Sequence, residues 1–503
     1  MTILRLLPVL GAILCAAGAR AESVTVTVPG TLADAVADRN ATELTVAGTV
    51  NAADLFWIGE NMPALARIDL SAAQIAEYSG DMLHNSTLYR AATIPAGSFA
   101  GSALTAVVFP ASGEITIGDG AFMDADITVL DIPANIAAIG DGAFAACARL
   151  TRVSVPATVK VGAYAFASCK ALTQVTLGTG TDAIAEGQFS NCTALDKVSG
   201  AESAVTIGAR AFDNCTSLTA FDFGSALTAI GDAAFAHTAI TDADLTAARG
   251  LRTVGDMAFA HNAGLVKAAF STSANTVVGK GVFFDCTALT ALQLPGRLAK
   301  LPDYILKGAS KAVIDDLSQF DGLDSIGAYA LKDNEAVANL ILPSALTHIG
   351  TGAMENMTGL QSIDARSLPE APALGDNVWR GVSQPEVALT IMDTSRDSYE
   401  NADQWKDFRF NIITGVDDIA ADTDAGDKAA VTGRFVGSDL VITATGAPLR
   451  NIRVYDVSGR LMAALDTDEY EAVLDTNGTD TTVFIVAAIL NDGTTGTLKI
   501  ARR

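Results

Sequence analysis

One spacing of apolar and polar positions returns along most of the chain. An aliphatic residue, Gly and, four residues after the Gly, Phe recur as Ile117-Gly118 to Phe122, Ile139-Gly140 to Phe144, Val161-Gly162 to Phe166, Ile207-Gly208 to Phe212, Ile230-Gly231 to Phe235, Val254-Gly255 to Phe259 and Val278-Gly279 to Phe283. Counted from Phe99 through Phe189, Leu306, Leu331 and Met354, with Trp379 as a degenerate copy, the Phe position advances in steps of 22 to 25 residues. Such a period predicts a solenoid of about twelve coils. Within a coil, alternating apolar residues such as Leu150, Val153 and Val155, or Leu172 and Val175, predict a short strand, ended in different coils by Pro156, Pro295 or Pro343. Stacked on its counterpart in the next coil, that strand makes a parallel sheet read as the concave face, with the Phe filling the interior opposite. The recurring Gly fits a bend that needs either positive φ or a close backbone approach.

The flanks read differently. Residues 22–75 carry a helical pattern at Leu32–Val36, a strand at Leu44–Gly48, a helical piece at Asn51–Asn61 and a strand at Ala66–Leu70, a cap for the first coil's apolar edge. The solenoid spans 76–384 and closes near Val382. Residues 385–430 form an irregular connecting piece with Trp405, then an acidic stretch from Thr414 to Lys428. Its Asp417, Asp418, Asp422, Asp424 and Asp427 do not have EF-hand spacing and read as a flexible linker. Strand-like runs at Leu440–Thr443, Ile452–Tyr455, Val483–Ala487 and Thr497–Ile500, with a turn at Ser458-Gly459, make 431–503 a small all-β sandwich. The fold class is therefore a β-rich α/β repeat followed by an all-β domain. At the other end, Arg5, the apolar run Leu6–Ala17 and Ala19-Arg20-Ala21 have the layout of a secretory signal peptide, 1–21, cleaved after Ala21. Leu14 before Cys15 argues against lipoprotein processing.

The repeat AFxxCxxLxxVxVP and the stretch LTVAGTVNAADLFWIGENMPALARIDLS resemble secreted leucine-rich repeat proteins of the BspA-like kind over residues 44–380. That resemblance implies a leucine-rich repeat solenoid and adhesion to host or neighbouring bacterial proteins. The order NIRVYDVSGRLM, VFIVAAILNDG and KIARR resembles the C-terminal sorting domain of type IX export over 431–503, with Thr482-Val483-Phe484 where Gly-x-Tyr is usual.

Charge narrows the partners. Removing Arg5 and Arg20 with the leader leaves 31 basic against 57 acidic residues, a formal charge of −26. No basic stripe exists to neutralise phosphates, which excludes nucleic acid, and no later run is apolar enough to span a membrane. Cys147, Cys169, Cys192, Cys215 and Cys286 each stand three residues after a repeat Phe. One position in the coil, an odd count and no CxxC pair make them small buried hydrophobes rather than bridges or zinc ligands. His237 and His261, two residues after Phe235 and Phe259, stack in adjacent coils, but Asp124, Ser168, Asn191, Asn214 and Asp285 fill the same turn position. No motif for nucleophilic, phosphate or metal chemistry is present, so the chain reads as a non-enzyme without cofactor or metal.

Residues flanking the inward Val153, Val175, Val198 and Phe221 face solvent on the sheet: Arg152 and Ser154, Gln174 and Thr176, Lys197 and Ser199, and Asp222. Arg152 and Lys197, with Lys267 further along, are cations on an acidic molecule and could orient an acidic partner. The resulting expectation is a monomeric secreted or cell-surface protein that presents this strip to a host matrix or bacterial surface protein. A cell-surface spacer without a ligand is the alternative reading, and a hydrolase built on the C-terminal region is a more remote one.

Overall fold

A computed structural model describes residues 20–413 apart from 85, 273–274 and 321, and 431–501 apart from 437–438, 457–459, 476–482 and 492–494. Most of the leader, the acidic linker and the Ser458-Gly459 turn lie outside the described residues. The chain divides into two compact units, 1–218 and 219–503.

The first unit opens with parallel strands Ala21–Val26, Glu43–Val50 and Arg67–Ile75, the last continued by Ala106–Val108. A helix, Ala52–Asn61, connects the second to the third. Asn51 starts it because its side chain accepts from the Ala53 and Asp54 amides while the Asp54 carboxylate accepts from the Asn51 amide. Asp54 is buried, and the Gly30 and Leu32 amides donate to its remaining lone pairs at 2.7 and 2.9 Å. An antiparallel hairpin, Tyr78–Leu83 with Ser86–Tyr89, follows.

Then the coils begin. Strands Val129–Asp131, Arg152–Val155, Gln174–Leu177 and Lys197–Ser199 form the main parallel sheet. On the other side, Thr93–Ile94, Ile115–Ile117, Ile136–Ile139 and Lys160–Val161 form a second ladder of very short strands. Between the two sheets the repeat Phe is sealed in: Phe99, Phe122, Phe144, Phe166, Phe189 and Phe212 are at most 1 % exposed. Successive rings stack with centroids 5.2 to 5.7 Å apart.

The recurring Gly serves close approach, not positive φ. Its amide donates to the aliphatic carbonyl one coil back, as Gly118 to Ile94, Gly140 to Ile117 and Gly162 to Ile139 at 2.8–2.9 Å. A Cβ on Gly140 would sit 2.6 Å from the Asp119 amide nitrogen. Left-handed backbone falls instead two residues on either side of the Phe, at Gly120 and Asp124, Gly142 and Ala146, Tyr164 and Ser168. Asp119 and Asp141 tie coils together, each Oδ1 accepting from an amide in the next coil at 2.8–2.9 Å.

The second ladder stops where the Gly is replaced. Ala185 stands in that position, its amide donates to Gln188 Oε1, and the pair Ala183–Ile184 with Thr206–Ile207 belongs to a separate ladder. In the second unit Gly279 and Gly327 donate to Val254 and Leu301 at 2.8 Å, whereas Pro302 has no amide hydrogen to give. The strands Val277–Val278 and Lys300–Leu301 accordingly lie in different sheets.

Within the second unit the main sheet runs as Asp242–Leu245, Lys267–Phe270 and Ala291–Gln293, then again as Asn339–Ile341, Ser362–Asp364, Ala388–Met392 and Arg409–Ile413. Residues 385–413, expected to be irregular, thus add two strands to it. The end is closed by Trp379, Tyr399, Trp405 and Phe408, with Trp405 Nε1 donating to the Pro372 carbonyl at 2.9 Å. Beyond it, sheets built from 431–436, 439–444 and 471–475, and from 461–466, 449–455, 483–490 and 495–501, share one apolar core. Strands 431–436, 461–466 and 471–475 are additional to those expected. On the outside of this sandwich Ile485 packs against Ile413, and Arg453 pairs with Asp316.

Candidate protein-interaction surfaces

In the first unit Val153 and Val175 are buried, whereas Val198, also expected to point inward, is only half-buried; Arg152, Gln174, Thr176 and Lys197 are exposed, and Ser154 and Ser199 are half-buried. Parallel register sets Arg152 beside Gln174 beside Lys197, and Ser154 beside Thr176 beside Ser199. Just before these strands the hydroxyls of Thr128, Thr151 and Thr173 donate to the carbonyl one coil back, at 2.9 to 3.3 Å, so that this row is fixed. Arg152 is not a free cation: its guanidinium lies 3.6 Å from Asp131 in the preceding coil. Lys197 has no ion-pair partner among the described residues. In the second unit Lys267 is exposed but 3.7 Å from Asp242. Asp222 is exposed and belongs to no strand, while Phe221 and Phe223 on either side turn inward against Phe235. The face in the first unit is therefore mostly small and polar, and one of its two cations already has a partner.

The five cysteines of the described residues are buried and unbridged, and they do more than fill space. Each thiol donates to the carbonyl of a spine Phe in an earlier coil: Cys147 to Phe122, Cys169 to Phe144, Cys192 to Phe166, Cys215 to Phe189 and Cys286 to Phe259, at 3.1–3.2 Å. Asn262 takes over where Cys is absent, its Nδ2 donating to Phe235 and Phe259 at 2.9 Å. Sequence reasoning missed this need for a donor, although Asn262 at the Cys spacing was its signal. Burial pushes the Cys215 and Cys286 thiols up to about 12, far from the thiolate a nucleophile needs.

His237 and His261 stack face to face, ring centroids 4.6 Å apart and planes 15° from parallel. Side-by-side lone pairs cannot converge on one ion at ~2 Å, and His261 lies 3.4 Å from Asp285 instead. Among the described residues no group of three His, Cys, Asp or Glu could hold a metal. A cleft of about 560 Å³ opens at the Pro302 break, lined by Val277, Val278, Leu298 and Pro302 with Lys280, Lys300 and Asp303. Burial would raise the Asp303 carboxyl, but Lys300 at 2.7 Å and Lys280 at 3.6 Å outweigh it and hold it below its ordinary value. Those amines are held as ion pairs, and among the described residues no His, Cys or Ser lines the cleft.

Comparison with known proteins fits this geometry. The sequence profile of the BspA type leucine-rich repeat region matches residues 84–196, 139–266, 182–313 and 252–381, more than half of the chain. A leucine-rich repeat protein from Bacteroides ovatus is similar in structure, with TM-score 0.52 and 19 % identity over 75 % of this chain and 85 % of that one. One from Eubacterium ventriosum aligns over 69 % of this chain and 84 % of its own, with TM-score 0.36 and 17 % identity. A leucine rich cell surface protein from Faecalibacterium prausnitzii aligns over 47 % and 86 %, with TM-score 0.23 and 20 % identity. No curated protein sequence matches the chain. Stacked parallel strands, an interior Phe spine and a family profile matching coil after coil converge on one assignment: the chain belongs to the BspA-type leucine-rich repeat family.

Proposed function

We propose that this is a secreted or outer-surface binding protein whose main sheet docks a protein partner. The observation that carries the reading is the ordered outward row in the first unit, Arg152, Gln174 and Lys197 beside Ser154, Thr176 and Ser199, held in register by backbone pairing. A rigid surface of this kind costs a partner little ordering entropy on the protein's side. The leader-like Met1–Ala21 supports export, and the likeness of 431–503 to type IX sorting domains supports delivery to the outer surface; no helix among the described residues is long and apolar enough to cross a membrane. A host matrix protein or a neighbouring bacterial surface protein is the partner class that fits adhesion.

The test starts from partners captured by the full chain from matrix and bacterial surface proteins. Arg152→Glu with Lys197→Glu should weaken the captured complex at least ~10-fold, about 1.4 kcal/mol. The exposed Arg152–Asp131 pair contributes little to folding, so melting should change little. A captured partner that binds the double variant with unaltered affinity removes the main sheet of the first unit as the site.

A further inference from the structure

The turns of the second unit carry an arrangement that the main sheet lacks. Two residues before each spine residue the backbone is left-handed, and Gly281 and Gly352 occupy that place at φ +59° and +57°. Tyr304 and Tyr329 stand there at φ +60° and +55°, where a bulky side chain is an outlier costing ~1 kcal/mol or more. Their rings are not core: both are half-buried at the surface and stack on each other at 5.4 Å. Above them the Lys307 ammonium lies 5.0 Å from the Phe284 ring centre, 5.7 Å from that of Tyr304 and 6.0 Å from that of Tyr329. Lys332 covers the Tyr329 ring at 5.5 Å, but its charge is matched by buried Glu355, which Arg380 also engages. Lys307 has no carboxylate partner among the described residues.

This cluster has the composition of an interface anchor: aromatic surface at the centre and a cation ready for a charge-assisted hydrogen bond. It stands out on a chain with 57 acidic and 33 basic residues. On the main sheets, by contrast, Arg152 and Lys267 face Asp131 and Asp242. We infer that Phe284, Tyr304, Lys307 and Tyr329 form a second interaction surface, for an acidic polypeptide segment whose carboxylate meets Lys307 while a neighbouring apolar side chain lies against the tyrosine edges. A sugar ring would need an open aromatic face, whereas the stack takes one face of each tyrosine and Lys307 and Lys332 lie over the rings. The inference rests on the chain being a binding protein, but it concerns a surface separate from the main sheet.

The test uses the full chain and a short fluorescein-labelled peptide of alternating Glu and Leu, followed by anisotropy. The wild type should bind it and not its Lys-Leu counterpart. Lys307→Glu should weaken binding at least ~10-fold, about 1.4 kcal/mol, whereas Lys307→Arg and the Arg152→Glu, Lys197→Glu double variant should bind like wild type. Tyr329→Gly suits the left-handed backbone, so it should melt as a folded protein and still bind the peptide weakly. The proposal is overturned if the wild type ignores the acidic peptide, if Lys307→Glu binds it unchanged, or if polygalacturonate binds in its place. Loss in the main-sheet variant alone would overturn it too, while leaving the main-sheet reading intact.

Discussion

Phe144→Ala should lower stability by ~3–5 kcal/mol, the range for deleting a buried aromatic whose site cannot collapse. Its ring is fully buried between Phe122 at 5.2 Å and Phe166 at 5.5 Å. Both neighbours are held by the coil that follows them: the Phe122 amide donates to Ala143 and the Phe166 amide to Gln188, and the Phe122 and Phe166 carbonyls accept from Cys147 and Cys192. Neither ring is free to move into the space, so the cavity persists. Denaturant melts should show a lower midpoint with an unchanged slope. Met123→Ala, next to a spine residue but 45 % exposed, should stay within about 0.5 kcal/mol. Equal losses at the two sites would mean that the Phe column is not the interior spine.

Two glycines of one coil should lose different amounts of stability to the same methyl group. On Gly140 a Cβ would lie 2.3 Å from Asp119 Oδ1, 2.6 Å from the Asp119 nitrogen and 2.8 Å from the Gly118 carbonyl carbon. Gly140→Ala must push the coils apart, stretching the Gly140 amide's bond to Ile117, and should cost ~3 kcal/mol or more. Gly142 has φ +59° and its Cβ would meet only the Ala145 Cβ, at 3.8 Å. Gly142→Ala should therefore cost only the left-handed penalty of ~1–2 kcal/mol, and Gly142→Asn less, since Asn tolerates that region. Thermal melts of the three variants decide it: a larger loss at Gly142 than at Gly140 would refute the assignment of close approach to the first glycine and left-handed turn to the second.

What the sequence disclosed was whatever the coil repeats. The Phe column needed only spacing, because a residue returning every 22 to 25 positions has the same neighbours each time. The helix Ala52–Asn61 was legible from its apolar pattern and from Asn51 at its start. Strands of two residues such as Lys160–Val161 were not, since alternation cannot be read over two positions. The ladder breaks had visible causes in Ala185 and Pro302, but their effect depends on an amide that the previous coil expects. Residues 385–413 hid two strands because their coil carries a short helix, Arg396–Glu400, instead of the repeat motif. At the candidate sites, the outward row of the main sheet followed from period two, whereas the pairing of Arg152 with Asp131 required knowing which residue lies opposite it one coil back. The Lys307 cluster was hidden for the same reason, its rings coming from positions 284, 304 and 329.

The proposed function requires the main sheet of the first unit to meet the partner. A photocrosslinking residue placed at Gln174, on that sheet, and at Lys160, on the second ladder of the same unit, tests it most directly, because both positions are exposed. Full-length protein incubated with matrix and bacterial surface proteins and then irradiated should give a discrete crosslinked species from Gln174 and none from Lys160. The same species from Lys160 alone would contradict the claim and place the partner on the opposite ladder.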